Sequence, residues 1–168
     1  MFSIFSYLII IALLMALAYR DIKEYILPDY LNAALALSFS AFHISMHWQL
    51  ITPIESLEGA FAGGSLLLLI RVCANKYYNK DALGLGDVKL MAAAGLGLGY
   101  PGIFMALSLG AFAGLLHGLF MALLEKKKNN HKINLSRVNV PAGLGLTIGI
   151  ALMMVYQFGF EWLILFKK

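Results

Sequence analysis

Two aspartates stand where a carboxylate could do chemistry in an otherwise apolar chain. Asp21 closes the first apolar stretch, and Asp87 lies in Gly84-Leu85-Gly86-Asp87, directly before another apolar run. A carboxylate at the edge of a membrane-spanning segment is costly to keep there and is usually functional. If the two meet, they can divide acid–base work, because one activates water while the other protonates the reacting group.

The helix ends predict a division of labour within this pair. Asp21 ends one predicted helix and Asp87 begins another, and helix ends carry partial charges, negative at the C-terminus and positive at the N-terminus. The neutral form is thus favoured at Asp21 and the ionised form at Asp87, which predicts Asp21 as the acid and Asp87 as the base. A coupled pair titrates as a unit, so the assignment stays open. The structural alternative is that each caps a helix or pairs with Lys23 or Lys89.

The residues around Asp87 bear on what could reach it. Gly84 and Gly86 free the backbone beside the acid, which suits the close approach of an extended peptide. Lys89 either extends to the lipid headgroups or holds the negative pair, and the first is its default behaviour.

Composition predicts the elements that must position these acids. The 168 residues are 61% hydrophobic and 13% charged, whereas a soluble domain is about 45–50% apolar and about 25% charged. The chain is therefore predicted to be an all-α, polytopic integral membrane protein with about six transmembrane helices. We expect one membrane-embedded domain, residues 1–168. The predicted apolar segments are 2–19, 29–48, 57–74, 87–99, 102–124 and 138–166.

The basic residues predict the orientation. With the N-terminus outside, every Lys and Arg except Lys167 and Lys168 lies in or beside a predicted cytoplasmic loop. Both aspartates then lie on the cytoplasmic side. The same pattern accounts for the net charge of +4 with the lipid bilayer as partner and without nucleic acid.

Three residue types add smaller constraints. The G-x-x-x-G spacings of Gly59 with Gly63, and of Gly110, Gly114 and Gly118, predict close helix packing. His43 and His47 are spaced i, i+4, but no third ligand lies near them, so we predict a polar patch and no metal. The only cysteine, Cys73, excludes an internal disulfide and a multi-cysteine zinc site.

Three motifs carry a resemblance to a known family. Arg20 to Asp29 contains an aspartate, a short polar stretch and a Leu-Pro-Asp turn at Pro28. Asp81 to Leu90 contains Gly-x-Gly-Asp-x-Lys, and Val140-Pro141-Ala142-Gly143 contains Pro-x-Gly. With these motifs the chain resembles the type IV prepilin peptidases, a family of bacterial aspartic membrane proteases.

The resemblance implies a function and a site. It implies an endopeptidase of the bacterial inner membrane with Asp21 and Asp87 as the catalytic pair on the cytoplasmic face, supported by Gly84, Gly86, Lys89 and Pro28. The implied substrate is a pilin-like or pseudopilin-like precursor whose short basic leader is cut after a glycine and before a hydrophobic helix. No metal or cofactor is implied.

The resemblance is to the short, peptidase-only form of the family. Full-length members carry an N-terminal segment with paired Cys-x-x-Cys motifs and also methylate the new N-terminus, whereas this chain begins at the first peptidase helix and has one cysteine. We therefore expect no separate N-terminal zinc or methyltransferase segment and have little reason to expect N-methylation.

Two other functions are compatible with buried aspartates. A small proton-coupled transporter or channel subunit also uses intramembrane carboxylates, as proton relays. A catalytically silent assembly partner in a pilus or secretion apparatus would not need the pair at all. Proton flux would favour the first, and full function of Asp-to-Asn variants would favour the second.

Overall fold

The structure, a computed structural model, describes residues 2–79, 81, 83–129 and 142–159. They form five α-helices and one terminal π-helical turn: α1 Phe2–Glu24, α2 Asp29–Ser45, α3 Pro53–Tyr78, α4 Leu85–Asn129, α5 Ala142–Met154 and the turn Val155–Gly159. The predicted all-α membrane class is confirmed. Several predicted features lie outside the described residues, namely Val140 and Pro141 of the third motif, both ends of the sixth segment, and the basic residues Lys80, Lys132, Arg137, Lys167 and Lys168.

Helix α4 is a helical hairpin that contains the fourth and fifth predicted segments. Its residues 85–98 and 100–129 are two arms separated at Gly99, where φ is 68° and ψ is −179°. Glycine alone adopts this conformation at low cost. Gly63 of α3 contacts Met91 of the first arm and Ile103 of the second, whereas Gly59 contacts Gly95 and Gly99. The arms therefore run antiparallel, side by side along α3.

The helices agree in length with a multi-pass membrane protein. Four described stretches are long and apolar enough to cross a bilayer: Ser3–Glu24, Pro53–Tyr78, Leu85–Leu124 and Ala142–Gly159. The third contains both arms of α4, and the shorter α2 packs one face against the bundle, with Leu35, Phe39 and Phe42 fully buried. Counting the arms separately, the described residues form six helical segments, but only four described stretches qualify as membrane spans, fewer than the predicted number of about six transmembrane helices.

Glycines bring the helix backbones together, as their spacing predicts. A Cβ at Gly95 would overlap the carbonyl oxygen of Gly59, and one at Gly145 would lie 2.7 Å from the carbonyl oxygen of Gly110. Gly114, in the same stripe as Gly110, is looser, since a Cβ there would approach Gly145 only to 4.0 Å. Both G-x-x-x-G patterns thus serve packing, the first against α4 and the second against α5.

One end of the bundle collects the parts that matter for chemistry. The C-terminal ends of α1 and α3 lie there with the N-terminal ends of α2, α4 and α5, because contacts join Asp21 to Leu144, Asp29 to Lys89 and Arg71 to Leu83. The opposite end holds the α3 capping box of Thr52 and Glu55.

His43 also belongs to that opposite end. It is fully buried, its Nε2 lies 2.8 Å from the carbonyl oxygen of Gly97, and its ring stacks on Trp48. The predicted interfacial polar patch of His43 and His47 is therefore wrong for His43, which α2 carries into the packed interior.

The close contact of α3 and α4 predicts the effect of a single methyl group. Gly95→Ala should lower the stability of the protein in detergent by about 1–3 kcal/mol, because the new Cβ meets backbone atoms that cannot move aside. Gly114→Ala is the matched control, with free space at the Cβ, and should be neutral or slightly stabilising. Thermal unfolding of both variants measures this, and equal melting temperatures would contradict the close packing at Gly95.

Candidate active site

A tight reversal between α1 and α2 forms one wall of the site. Helix α1 ends where Tyr25 turns left-handed, with φ 54°, and donates its N–H to the Asp21 carbonyl oxygen at 3.0 Å. Pro28 then precedes the first residue of α2 with an extended backbone, φ −64° and ψ 138°. The proline therefore serves the turn, as its place in the motif predicts, and directs Leu27 inward.

Leu27 explains why two distant positions are glycine. A Cβ at Gly86 would lie 2.8 Å from the Leu27 Cβ, and a Cβ at Gly143 would lie 2.9 Å from the Leu27 Cδ1. The Leu27 side chain thus fits between the start of α4 and the start of α5. Any larger residue at either glycine would push these two helices away from the end of α1.

Asp21 is held by the N-terminus of α5. Its side chain is 5% exposed, and its Oδ2 accepts the Leu144 N–H at 2.7 Å. The Gly143 N–H also donates to this carboxylate. The first N–H groups of a helix have no partner within the helix, so they bind an anion readily. The sequence predicts only that the negative end of α1 acts on Asp21, whereas the structure adds the positive end of α5.

Asp87 is both a helix cap and a buried acid with a spare oxygen. It follows the α4 N-terminal cap, Gly84, by three residues, and its carboxylate accepts the Gly84 N–H. Asp87 therefore does cap its helix, which was the structural alternative to a catalytic role. Asp87 is nevertheless only 7% exposed, and its Oδ1 has no hydrogen-bond partner among the described residues. A buried acceptor without a partner is uncommon, and this one is left available to a molecule that enters the site.

The two carboxylates belong to one site. Asp21 and Asp87 are separated by 66 positions in sequence, yet Leu27 packs against both Gly86, which precedes Asp87, and Gly143, which lies against the Asp21 carboxylate. Neighbouring buried carboxylates do not ionise together cheaply, so such a pair retains one proton between them. This arrangement can accept a proton at one group and donate one from the other.

Lys89 has a different partner from the one considered in the sequence. Its Nζ lies 2.6 Å from Asp29 Oδ2, and both side chains are exposed. Lys89 therefore forms an ion pair between α4 and the first turn of α2, a partner that the sequence does not predict. Lys23 lies over the Tyr19 ring, and so neither lysine is the described partner of Asp21 or Asp87.

Asn32 is a site residue that the sequence argument missed. It is 3% exposed, and its Nδ2 donates to the Gly86 carbonyl oxygen at 3.3 Å. This bond links α2 to the residue just before Asp87. The available signal was a polar residue one turn after Pro28 in an apolar stretch, which alone does not reveal a partner 54 positions away.

Residues 8–119 match the family model described as the type IV leader peptidase family. That region contains both Asp21 and Asp87, and it covers more than half of the chain. The chain belongs to this family. The resemblance seen in the motifs is thereby confirmed, and the segment that supplies the Gly143 and Leu144 amides lies beyond the matched residues.

Curated relatives carry a matching name. Proteins named prepilin leader peptidase/N-methyltransferase are 31% identical in Pectobacterium carotovorum subsp. carotovorum over 74% of this chain and 44% of the relative. The relative in Klebsiella pneumoniae is 34% identical over 57% of this chain and 41% of the relative. The relative in Escherichia coli (strain K12) is 28% identical over 67% of this chain and 49% of the relative. The chain thus spans less than half the length of these relatives. No solved structure matches.

The described part of the chain brings no three His, Cys, Asp or Glu side chains together in a way that could hold a metal ion.

The contact of Gly143 with Asp21 predicts a sensitive position. In Gly143→Ala the new Cβ would lie 2.9 Å from Asp21 Cγ and Oδ2. The carboxylate must then move, and a misplacement of about 1 Å can lower catalysis about a hundredfold. We expect leader cleavage to fall strongly in protein that still folds, with a lower melting temperature because the new Cβ also meets Leu27. Gly114→Ala is the control, and full activity of Gly143→Ala would show that α5 does not hold Asp21.

Proposed function

We propose that this protein is an aspartic endopeptidase that cuts a peptide at the membrane surface, with Asp21 and Asp87 as its catalytic pair. The observation that carries the proposal is that two buried carboxylates from α1 and α4 share one site at one end of the bundle. Membership of the leader peptidase family supports the same reaction.

The contacts of the two acids favour different roles. Asp87 Oδ1 has no described partner, so it is free to accept a proton from an attacking water molecule. Asp21 is the candidate for the protonated partner, which donates its proton to the carbonyl oxygen of the scissile bond as the water oxygen attacks the carbonyl carbon. The proton taken by Asp87 then passes to the leaving amine, a hydroxyl of the intermediate returns a proton to Asp21, and the C–N bond breaks to leave a carboxylic acid and an amine. This assignment agrees with the one predicted from the helix ends.

The glycines and the lysine support this chemistry indirectly. Gly84 donates its N–H to Asp87, and Gly86 admits Leu27 at the base of α4. Lys89 with Asp29, and Pro28 at the turn, fix α2 against the start of α4. We propose that these four residues position the pair and do not themselves react.

The substrate and the membrane face follow from the relatives and the charges. We extend to this chain only the leader peptidase half of the relatives' name, because the matched region contains the carboxylate pair. The proposed substrate is a precursor of the prepilin or pseudopilin kind, cut after a glycine that joins a short basic leader to a hydrophobic helix. The proposed location is the bacterial inner membrane, with the site on the cytoplasmic side, where Arg20, Lys23, Arg71 and Lys89 lie.

The position of the pair favours proteolysis over proton transport. Carboxylates that carry protons through a membrane protein lie on a pathway across it. Here Asp21 and Asp87 both lie at one end of the bundle, beside the helix termini.

Removal of either carboxylate should abolish cleavage. Asp21→Asn and Asp87→Asn should each reduce leader removal by about a thousandfold or more, because neither amide can exchange the required proton. Glu24→Gln is the matched control at the same end of the bundle, since Glu24 is exposed and pairs with Arg20 on its own helix. Asp29→Asn should lose part of the activity, because it breaks the ion pair with Lys89. Mass spectrometry of a prepilin-like substrate incubated with each variant measures this. Cleavage that survives both substitutions would reject the pair, and full function in cells without cleavage would favour the assembly-partner reading.

A shared proton predicts a bell-shaped dependence of kcat/KM on pH. Below the optimum both carboxyls are protonated and no base remains, whereas above it both are ionised and no acid remains. The rate of leader removal, measured across the pH range in which the protein stays folded in detergent, tests this. A single ionisation in that range would mean that one carboxylate acts without the other.

A further inference from the structure

A polar cluster on α3 binds the linker that leads to Asp87. Arg71 and Asn75 are one helical turn apart and therefore share a face of α3. Arg71 Nη1 donates to the Leu83 carbonyl oxygen at 2.8 Å, and Nη2 lies 3.2 Å from Asp81 Oδ1. Asn75 Nδ2 donates to the same Asp81 oxygen at 3.0 Å. Two side chains of α3 thus bind the linker between α3 and α4 at Asp81 and Leu83.

The linker is short and ends at the cap that holds Asp87. It runs from residue 80 to residue 84, and the structure describes 81, 83 and 84 of it. Its last residue, Gly84, directly follows the carbonyl group that Arg71 binds, and Gly84 donates its N–H to Asp87. Arg71 is therefore connected to Asp87 by one hydrogen bond to the Leu83 carbonyl group, the Leu83–Gly84 peptide unit, and one hydrogen bond from the Gly84 N–H.

Stability does not account for this cluster. The Asp81 side chain is 84% exposed, and an exposed ion pair contributes little to folding. An arginine in a predominantly apolar helix is costly unless its position is useful. What the guanidinium offers here is a planar fork that binds a carboxylate and a carbonyl oxygen at once, which the point charge of a lysine cannot reproduce.

We propose that Arg71 is a positioning residue for Asp87, acting through the linker between α3 and α4. Its two bonds hold Leu83 and Asp81 so that the Gly84 N–H meets the Asp87 carboxylate and the spare oxygen stays directed into the site. The proposal rests on the proposed function only in so far as Asp87 belongs to the catalytic pair.

The kinetic test compares two arginines at the same end of the protein. Arg71→Gln should lower kcat about a hundredfold, as expected for a misplaced catalytic group, with KM nearly unchanged. Arg71→Lys and Asp81→Asn each keep some of the contacts with the linker, so kcat should fall less than in Arg71→Gln. The fall should be larger for Arg71→Lys than for Asp81→Asn. Arg20→Gln is the matched control, because Arg20 forms an exposed pair with Glu24 on α1 and should leave kcat within about twofold. Thermal unfolding shows that each variant is folded.

A second readout does not depend on peptidase activity. In a Cys73→Ser background, Asp87→Cys places a thiol at a buried position whose reaction with a water-soluble maleimide reports local opening. Adding Arg71→Gln should speed labelling about tenfold, whereas Arg20→Gln should not change it. Loss of the arginine charge alone would slow labelling, because the thiolate is the reactive form. Faster labelling therefore reports movement of the linker.

Each combination of results decides something. Faster labelling together with a fall in kcat supports the positioning role. Slower labelling with a fall in kcat overturns it and would assign Arg71 an effect of charge alone. Unchanged labelling also overturns it, whatever happens to kcat. If the wild type cleaves no precursor but labelling still responds to Arg71→Gln, the proposed function fails while the positioning of residue 87 stands. If Arg71→Gln does not fold, Asp81→Asn provides the same comparison.

Discussion

The arrangement of this protein depends on keeping two carboxylates buried beside a membrane-spanning bundle. A buried charge without partners is too costly to maintain, and the cheapest donors available to a helical chain are the free N–H groups at helix starts. Asp21 uses the first amides of α5, and Asp87 uses the amide before α4. The bundle must therefore bring the starts of two helices to the end of a third, and its connections accomplish this.

Close backbone packing makes that convergence possible. The hairpin at Gly99 turns α4 back along α3, and the glycines of α4 and α5 let their backbones touch. Without this, α5 would stand too far from α1 for its amides to reach Asp21. The same requirement recurs at the site, where Gly86 and Gly143 leave room for Leu27. Small residues thus set distances between helices, and these distances set the contacts of the acids.

Polar contacts from neighbouring helices restrain the site. Lys89 with Asp29 joins α4 to α2, Asn32 binds the Gly86 carbonyl oxygen, and Arg71 binds the linker before α4. Each of these contacts reaches the short segment around Asp87, so that α2 and α3 restrain it from separate directions. Such restraint suits a group whose reacting oxygen must meet a peptide in a defined geometry.

The sequence alone determined the helical membrane class, and it singled out the two acids and an orientation as predictions. Helical class follows from apolar length, because a bilayer requires unbroken helices. Asp87 was identifiable because Gly-x-Gly-Asp is a local pattern, and Pro28 because proline restricts its own turn. Only the tertiary structure decided that Leu144, 123 positions away, donates to Asp21, that Lys89 pairs with Asp29, and that Asn32 and Arg71 restrain the start of α4. Local spacing records which face of a helix a residue occupies, but the partner on that face depends on how distant helices pack.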